Sequence, residues 1–492
     1  MKRSIVGALV LGALILVAAA GAAAPIVASP GPSPFTAACG NDDFAIEQQA
    51  QGSVLYPGAE IEPRSARYGT TIVAEFQQDR WNDGGARGLV TSVSHDNGAN
   101  WKRVVVPGIS SCSGGNYLRA SDPWVSFAPN GDLYAISLSF LGEHNLNDNA
   151  ILVSKSIDLG ESWGAPIAIA ADSTNGLDKE SITADPFNSN YVYAAWDRII
   201  TPGGSTHASD QGILHSRSFK SQTFFTRSTN GGASWETPQQ IFVDSSFSGS
   251  IGSIIRVLGD GHTLLDGLIT YGSAAWKGGP CASISVLRSP DRGVTWANKP
   301  VIVSPLSCTY GGAHNPDSRA LIRSGGLPDV AVDGNKVYVV WEDALPGAPT
   351  RGRILFSQST DGGLTWSSPI VIDQNTPAGV DGFIPTIEVT SSHVVGVNYY
   401  DFRNNQPGGI ASTDLWLLRC SAACSTTGGW SSETRVTPSS FDMSAAPEAR
   451  GQFLGDYMGM TTSGAAFEPF FMQSGTPPVA NGPTDAFFAS VP

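Results

Sequence analysis

The chain has 492 residues and an acidic balance, with 29 Lys and Arg against 43 Asp and Glu and a formal net charge of −14. This acidic surplus argues against a nucleic-acid-binding protein, which usually carries basic patches. Only 15% of the residues are charged, while 56 are Gly and 32 are Pro, which excludes a long coiled coil. The 41% apolar content excludes wholesale disorder, so a large, turn-rich and mostly β protein remains.

The N-terminal residues 1–28 are typical of a secretory signal peptide. Lys2 and Arg3 precede an apolar run and then a stretch rich in Ala and Gly, the order of the charged, apolar and cleavage regions. An uncleaved membrane anchor is the alternative, since about 20 apolar residues can span a bilayer. The sequence predicts a secreted, extracellular or cell-surface monomer, with a Pro- and Ala-rich spacer at 29–44 and one folded domain at 45–492.

One pattern of eight residues recurs along the chain: Ser, any residue, Asp or Asn, any residue, Gly, any residue, then Ser, Thr or Asn, and Trp. Five copies end at Trp101, Trp163, Trp235, Trp296 and Trp366, and a degenerate sixth ends at Trp430. The Asp or Asn side chain suits a tight turn, and Gly supplies a positive φ. We interpret the copies as structural staples, and their regular spacing predicts a solenoid, propeller or array.

Each copy follows a short β run, and most of these runs follow two strands joined by a turn. The clearest such pair is Val330–Val332 with Val337–Trp341. Four antiparallel strands per unit, arranged radially, predict an all-β protein with a β-propeller fold. Seven blades fit the length best, with six as the alternative. The last unit lacks a fourth strand, and we expect the N-terminal segment around Ala45–Leu55 to supply it and close the ring.

Six cysteines in an exported chain predict disulfides. Fifteen pairings are possible in principle. Proximity along the chain favours Cys420–Cys424 and Cys281–Cys308, which leaves Cys39–Cys112. The first pair stands where the sixth copy of the repeat has lost its turn residues.

The repeat resembles the Asp-box, or BNR, repeat, and the chain resembles the sialidase-like superfamily of Asp-box β-propellers over about residues 60–492. Sialidases have six blades, and their Arg-Ile-Pro motif is absent here, with Glu62-Pro63-Arg64 as the nearest match. The resemblance implies an exo-glycosidase that acts on terminal acidic sugars of glycans. It also places the boxes on the turn between the third and fourth strands of a blade.

Charged residues recur at the strand ends on the opposite face, and equivalent strand ends converge on the axis of a propeller. Arg80, Arg198 and Arg403 follow second strands and are the candidate clamp for a sugar carboxylate, because Arg presents paired donors to an anion. Their neighbours Asp197 and Asp401 are further candidate substrate-binding residues, and Trp81 is a candidate for stacking on a sugar ring.

Sialidases use a Tyr nucleophile assisted by Glu and an Asp acid, an exception to the scheme with two carboxylates. The resemblance therefore implies Tyr400 or Tyr457 as the nucleophile and Glu62 or Glu180 as its base. It implies Asp79 or Asp83 as the acid. These assignments combine the family's chemistry with residues that stand at strand ends in this sequence.

Several alternatives stay open. The Asp–Arg pairs are equally consistent with salt bridges between neighbouring blades. Asp122, Asp197 and Asp329 are candidates for a cation site, because hard cations bind several oxygens. A non-catalytic propeller that binds glycan or protein, and a glycosidase or lyase acting on neutral polysaccharide, are the rival functions. The chain has no zinc spacing, phosphate loop or Gly-x-Ser-x-Gly motif, so we expect no metal and no cofactor.

Overall fold

The structure is a computed structural model, and it describes residues 24–35, 52–141, 148–200, 220–242, 249–272, 282–307, 310–324, 326–345, 348–374, 376–377, 379–431, 433–475 and 482–492. Within these ranges the chain forms β-strands and three single-turn 3-10 helices, at Ser111–Ser113, Thr427–Gly429 and Met443–Ala445. None of the helices in these ranges is long and apolar enough to cross a membrane. The protein is therefore all-β over the part of the chain described here.

The strands form consecutive antiparallel sheets of four strands each, called units 1 to 7. Unit 1 contains β2 (Leu55–Tyr68), β3 (Thr71–Trp81), β4 (Ala86–Ser94) and β5 (Lys102–Val105). Unit 2 contains β6 (Arg119–Phe127), β7 (Leu133–Phe140), β8 (Asn149–Ser156) and β9 (Ile167–Asp172). Unit 3 contains β10 (Gly176–Ala184), β11 (Val192–Ile200), β12 (Lys220–Ser228) and β13 (Gln239–Phe242).

The remaining units repeat this order. Unit 4 contains β14 (Gly249–Val257), β15 (Leu264–Tyr271), β16 (Ala282–Ser289) and β17 (Val301–Pro305). Unit 5 contains β19 (Asp329–Asp333), β20 (Lys336–Leu345), β21 (Ala348–Ser359) and β22 (Ile370–Val371). Unit 6 contains β23 (Gly382–Val389), β24 (Val395–Asp401), β25 (Ser412–Cys420) and β26 (Thr434–Arg435), with β27 (Phe441–Asp442) also paired to β25.

Unit 7 is built from both ends of the chain. It contains β29 (Gly459–Ser463), β30 (Ala466–Ser474), β31 (Thr484–Phe488) and, at its outer edge, β1 (Ile26–Val27). The two strands outside the units, β18 (Ile322–Arg323) and β28 (Gln452–Phe453), pair in parallel with each other. The first strands of consecutive units contact each other, and the first strand of unit 7 also contacts that of unit 1.

The apolar core lies between neighbouring sheets. One cluster joins Trp124 and Ile136 of unit 2 to Ile182 and Trp196 of unit 3, and each of these side chains is buried. Other clusters join units 4 and 5, units 5 and 6, and units 1, 6 and 7. Burial of large apolar side chains on both faces of each sheet is the main force that holds the units together.

The repeated pattern forms the turn that follows the third strand of units 1 to 5. In the second copy, the Ser156 hydroxyl donates to Asp158 (2.7 Å) and accepts from the backbone of Gly160 (2.8 Å), while Asp158 accepts from the backbone of Ser162 (2.9 Å). The other four copies repeat these three bonds. These closed hydrogen-bond sets agree with a structural role.

The glycine of each turn also packs on the preceding unit. Gly98 has a φ of 83°, and a Cβ at this position would lie 2.2 Å from the ring of Phe488 in unit 7. Gly293 of unit 4 meets Phe225 of unit 3 in the same way, at 2.3 Å. Only glycine meets both requirements, a positive φ and a close approach to an aromatic ring.

The degenerate sixth copy is closed by a disulfide. Cys420 and Cys424 are bonded, with their Cα atoms 5.7 Å apart, which confirms this predicted pair. The Trp430 indole donates to the Cys424 carbonyl (3.0 Å), as the tryptophans of two other copies do to their turn glycines. Cys112 is also disulfide-bonded, while Cys39, Cys281 and Cys308 lie outside the described residues.

The expectation for the N-terminal segment needs correction. The outer edge of unit 7 is occupied by Ile26–Val27, which pairs with Phe488 and Phe487, whereas Leu55 already begins the first strand of unit 1. Residues 36–51 lie outside the described residues. Residues 29–35, expected in a spacer, pack on the sheets, with Phe35 buried and the Ser33 hydroxyl donating to Asp79 (2.9 Å). Apolar burial outweighs the composition signal of the prolines in this segment.

Candidate functional site

The site originates in a β-bulge that recurs near the start of the first strand in units 1 to 4 and 6. Each bulge holds one residue at positive φ, namely Glu62 (53°), Asp122 (53°), Lys179 (53°), Gly252 (81°) and Ile384 (49°). Proline follows the bulge residue in units 1, 2 and 6, and proline suits a bulge because it has no N–H to donate to the ladder. Non-glycine residues at positive φ are strained, and such strain concentrates at functional sites.

The bulges of units 1 to 3 bring charged side chains together with one from unit 7, and we call Glu62, Asp122, Lys179 and Asp456 the lysine cluster. The Lys179 ammonium lies 2.6 Å from Asp456 Oδ2, 3.6 Å from Asp122 Oδ2 and 3.8 Å from Glu62 Oε1. These side chains are at most 10% exposed. A buried cation among three carboxylates compensates charges that would otherwise be expensive to bury.

The cluster separates the protonation states of its carboxyl groups. Burial opposes ionisation of Asp122 and Asp456, but the charge of Lys179 on Asp122, and those of Arg323 and Lys179 on Asp456, lower both pKa values. Burial raises the pKa of Glu62 to about 7, with Lys179 opposing the shift. The same carboxylates raise the pKa of Lys179 well above its usual value, against its burial.

Asp178 belongs to the same group of acids. Its Oδ1 accepts from the backbone N–H of Lys179 (3.0 Å), and Asp122 Oδ2 accepts from that same N–H (3.2 Å). Burial raises the pKa of Asp178 to about 8, and the neighbouring Asp122 adds to the shift. Asp178 therefore retains its proton near neutral pH while Asp122 is ionised.

Arginines meet these acids in one cavity of about 520 Å³, which we call the arginine cavity. Arg80 donates to the Gln77 side-chain carbonyl (2.8 Å), and Arg323 lies 3.0 Å from Asp456. Arg80 Nε and Arg323 Nη1 are buried and have no partner among the described residues. The cavity is lined by Glu62, Arg80, Asp83, Gly84, Gly85, Ser121, Asp122, Leu138, Phe140, Asp178, Lys179, Arg323 and Arg450.

The three guanidinium groups influence one another. Burial lowers the pKa of Arg80 to about 10, and the charge of Arg323 adds to this shift. Arg450 is exposed as a residue, but partial burial of its guanidinium, with the charges of Arg323 and Arg80, lowers its pKa to about 10. Like charges held this close favour a bound anion, which would relieve their repulsion.

Two long connections place Arg323 and Arg450. The connection between units 4 and 5 contains β18, and the connection between units 6 and 7 contains β28, which pairs with β18 in parallel. Arg323 lies opposite Phe453 in this pairing, and its guanidinium stacks 4.4 Å from the Phe453 ring. Arg80 of unit 1 also approaches Phe453, at 5.4 Å. Phe453 thus holds two of the arginines on the same side of the cavity.

A second cavity of about 410 Å³ lies on the other side of Lys179, and we call it the aromatic cavity. The Tyr457 ring meets Trp124 edge-on at 5.4 Å, and the Arg64 guanidinium covers the Trp124 ring at 4.1 Å. Glu180 also lines this cavity. It is 3% exposed, its carboxyl oxygens have no partner among the described residues, and burial raises its pKa well above the usual value.

The predicted site residues fall into two groups. Glu62, Arg80 and Asp83 line the arginine cavity, and Glu180 and Tyr457 line the aromatic cavity. The other predicted residues lie elsewhere. The clamp expected from Arg80, Arg198 and Arg403 does not form, and Arg323 and Arg450 accompany Arg80 instead.

Arg198 and Arg403 form salt bridges away from both cavities. Arg198 of unit 3 lies 2.7 Å from Asp172 of unit 2, so it bridges neighbouring units. Arg403 lies 2.6 Å from Asp401, also contacts Glu433 within unit 6, and stacks 3.8 Å from Trp416. The alternative interpretation as salt bridges between units fits Arg198, while Arg403 is bound within its own unit.

The acids Asp79 and Asp197 position backbone. Asp79 accepts from the backbone of Gly58 (2.8 Å) and from the Ser33 hydroxyl (2.9 Å). Asp197 accepts from the backbone of Gly252 (2.9 Å) and so fixes the bulge of unit 4. These contacts assign both carboxylates to the fold.

Tyr400 and Trp81 are likewise core residues. The Tyr400 hydroxyl donates to the Met472 carbonyl (2.8 Å) and accepts from the Met472 N–H (3.1 Å), which joins units 6 and 7. Trp81 is 5% exposed, and its ring lies 4.6 Å under the Arg119 guanidinium. Neither ring is available to a sugar.

The proposed cation ligands do not converge. Asp122 binds Lys179, Asp197 binds the backbone of unit 4, and Asp329 binds Arg64 at 3.2 Å. In the described part of the chain, no group of three or more His, Cys, Asp or Glu side chains is arranged to hold a metal. At the lysine cluster, an ammonium group occupies the position between carboxylates that a cation would take.

Sequence reasoning missed Arg323, Arg450 and Asp178. The connections that carry the two arginines are longer than most others between units, and this length is visible in the sequence. Asp178 directly precedes Lys179-Glu180, which the sequence analysis identified as a charged strand start. Extending that pattern by one residue would have included it.

No protein-family model matches the sequence, and no curated protein matches it. Among solved structures, the chain is similar to the Hadza microbial sialidase Hz136, with 14% identity, a TM-score of 0.49, and coverage of 83% of this chain and 75% of that chain. It is similar to the K499G mutant of NanB sialidase from Streptococcus pneumoniae, with 10% identity, a TM-score of 0.46, and coverage of 89% and 94%. It is also similar to the α-L-arabinofuranosidase Arb93A from Fusarium graminearum, with 12% identity, a TM-score of 0.43, and coverage of 88% and 94%.

Proposed function

We propose that units 1 to 7 are the blades of a closed seven-bladed β-propeller. The contact between the first strands of units 7 and 1 supports this arrangement, as does the packing of Gly98 on Phe488. The pairing of Ile26–Val27 with β31 covers the outer edge of the last blade. Closure of the ring would bring the bulges of all blades to one central site.

We propose that this protein is an exported glycoside hydrolase of sialidase type, acting on terminal acidic sugars at the arginine cavity. The observation that carries the proposal is the meeting of Arg80, Arg323 and Arg450 around one cavity, with N–H groups of Arg80 and Arg323 left without protein partners. Guanidinium groups bind carboxylates through paired hydrogen bonds, which fix the orientation of a sugar acid.

The charge balance of the site supports an anionic ligand. Asp178 and Glu180 have raised pKa values and are mostly protonated near neutral pH. The groups that remain charged are three acids and four bases, namely Glu62, Asp122, Asp456, Arg80, Lys179, Arg323 and Arg450. The site is therefore net positive although the chain is acidic, so it attracts an anion selectively.

The acids beside the arginines support hydrolysis. Glycosidic bonds are broken by pairs of carboxyl groups, one protonated and one ionised. Asp178 and Asp122 provide one group in each state within the arginine cavity, and Glu62 titrates near neutrality. Environments that move neighbouring pKa values apart are a common sign of acid–base assignments.

Export is part of the proposal. The apolar N-terminal segment behind Lys2 and Arg3 supports it, and so does the Cys420–Cys424 disulfide, because disulfides persist in oxidising compartments. N-terminal sequencing of protein recovered from the medium tests it. Protein that stays in the cytosol with its first residues intact would contradict it.

The test of the activity uses a fluorogenic α-sialoside, with the matching neutral galactoside as the substrate control. We expect turnover of the sialoside only. Arg450→Ala should lower kcat/KM by about tenfold to a hundredfold, because a charge-assisted hydrogen bond contributes roughly 1.5–3 kcal/mol. Arg450→Lys should recover part of the loss, since Lys lacks the planar fork.

Arg198→Ala is the matched control, because this arginine pairs with Asp172 away from the cavity. It should leave kcat/KM unchanged. Equal turnover of both sugars by the wild type, or equal losses in Arg198→Ala and Arg450→Ala, would contradict the proposed clamp.

A non-catalytic glycan-binding propeller is the second candidate. The observation that favours it is the internal pairing of the lysine cluster, in which Lys179 already engages Glu62, Asp122 and Asp456. Binding of sialylated glycans on an array, with loss of binding in Arg450→Ala and no turnover of any sialoside, would favour this function over hydrolysis.

A further inference from the structure

Lys179 divides the candidate catalytic groups between two cavities. The arginines share their cavity with Glu62, Asp122 and Asp178, whereas Tyr457 lines the aromatic cavity. The Tyr457 hydroxyl donates to the Pro123 carbonyl (3.0 Å), and its ring packs on Trp124. A sugar held by the arginines therefore meets carboxyl groups first, and Lys179 stands between it and the phenol.

Asp178 and Asp122 form a carboxyl pair. Their oxygens accept from one backbone N–H, that of Lys179, at 3.0 and 3.2 Å, so the two groups are held within reach of each other. Asp122 is fixed further by the Ser121 hydroxyl, which donates to it at 2.8 Å. Asp122 is thus the ionised neighbour that accepts from the protonated Asp178.

Glu62 lies at the opposite end of Lys179. Its carboxylate is 3.8 Å from the Lys179 ammonium, whereas Asp178 contacts the Lys179 backbone. Asp122 contacts both ends of Lys179 and so separates Glu62 from Asp178. Inverting glycosidases hold their two carboxyls about 6.5–9.5 Å apart to admit a water, and retaining enzymes hold theirs about 5–5.5 Å apart. A third carboxylate between the two groups fits the wider arrangement.

Gln77 connects Glu62 to the arginines. Its side-chain N–H groups donate to Glu62 and to Ser121, and its carbonyl accepts from Arg80 at 2.8 Å. The amide therefore fixes the Glu62 carboxylate relative to Arg80, the arginine that lies deepest in the fold. A base must be held within hydrogen-bond reach of the water that it activates, and this network supplies such positioning.

We propose that the protein, if it hydrolyses acidic glycosides as proposed above, does so by single displacement with water as the nucleophile, Glu62 as the base and Asp178 as the acid. Water attacks the anomeric carbon, and Glu62 takes the proton that the water releases. The bond from that carbon to the leaving oxygen breaks with its electron pair on the oxygen, which receives the proton of Asp178. The product sugar has the inverted anomeric configuration, and Glu62 and Asp178 return to their starting states by exchange with solvent.

The charged surroundings give the reaction its pH range. Asp178 faces Asp122, Lys179, Asp197, Glu180, Tyr271 and Arg450. Glu62 faces Arg80, Asp122, Lys179, Arg323, Asp456 and Tyr457. The base must be ionised and the acid protonated, so with pKa values of about 7 and about 8 the rate should peak between these limits. Glu62→Gln should lower the rate and abolish the acidic limb of the profile.

The deciding experiment follows the wild-type reaction on an α-sialoside by proton NMR and identifies the anomer that forms first. We expect the β-anomer, which then equilibrates with the α-anomer. Asp178→Asn should lower kcat by about 10²- to 10⁴-fold on an alkyl sialoside and much less on a nitrophenyl sialoside, whose leaving group needs no acid. A purely structural role of Asp178 would affect both substrates equally.

Tyr457→Phe separates this mechanism from one with a phenol nucleophile. Under the proposal it keeps turnover within about threefold, and any loss follows its melting temperature. Initial formation of the α-anomer by the wild type, or a fully folded Tyr457→Phe with no turnover, would overturn the single-displacement mechanism and leave the glycosidase function standing. Absence of any turnover by the wild type would instead sink the glycosidase function itself.

Discussion

The two ends of the sheets are built on opposite principles. At the turns that carry the repeated pattern, every copy makes the same hydrogen bonds, and in units 1, 2, 4 and 5 the Asp carboxylates have lowered pKa values. At the bulges, each unit contributes a different residue, and buried acids such as Glu62 and Asp178 have raised pKa values. Identical positions stabilise the fold, and positions that differ from unit to unit create a site.

The largest expected effect comes from breaking the lysine cluster. Lys179→Met leaves Asp122 and Asp456 buried without their cation, and removal of one partner of a buried ion pair costs about 3–5 kcal/mol. Urea denaturation at pH 7 measures the loss in the free energy of unfolding. Lys336→Met is the control, because its ammonium is 55% exposed and 3.9 Å from Asp333, and it should change stability little. Equal, small effects of both variants would mean that the cluster is solvated.

The second effect concerns pH. Asp178 has a folded pKa of about 8 against 3.8 when unfolded, so the folded protein binds the extra proton between these values. Stability therefore falls as pH rises, by at most about 1.4 kcal/mol per pH unit for this group. Asp178→Asn should flatten the slope of unfolding free energy between pH 5 and 7. Asp158→Asn, at a turn where the pKa is lowered, should leave that slope unchanged.

A smaller effect tests the turns. Ser156→Ala removes the acceptor of the Gly160 N–H and the donor to Asp158, and an unsatisfied buried N–H should cost about 1–2 kcal/mol. Ser154, two residues earlier on the same strand, is also buried, but its hydroxyl has no partner among the described residues. Ser154→Ala should be neutral or slightly stabilising in thermal denaturation. A loss in Ser154→Ala as large as that in Ser156→Ala would show that burial, and not the turn bonds, sets the cost.

The smallest effect is expected at the rim. Arg198 lies 2.7 Å from Asp172 with its side chain 35% exposed, and exposed ion pairs contribute about 0–1 kcal/mol. Arg198→Ala should therefore melt within a few degrees of the wild type. A collapse of the fold in this variant would mean that single contacts between units carry more of the stability than the apolar core does.

The sequence predicted the regular part of the molecule and missed what depends on distant pairings. The five turns, the Cys420–Cys424 bond and the charged strand starts follow from local patterns and spacing. Arg323 and Arg450 reach the arginine cavity because β18 pairs with β28, and two-residue strands in separate connections leave no periodic signal. The same reason explains the error at Ile26–Val27, since a strand of two residues has no pattern to detect.

The position of Ile26–Val27 at the edge of unit 7 imposes an order in time. Its partners, Phe487 and Phe488, are among the last residues to be synthesised, on the order of tens of seconds after Ile26 leaves the ribosome. Until then, β31 does not exist to receive it, and the loop to be closed spans nearly the whole chain. The entropy of closing so long a loop grows only slowly with its length, so the delay costs time far more than stability. Folding of this protein thus ends with the joining of its oldest and youngest segments.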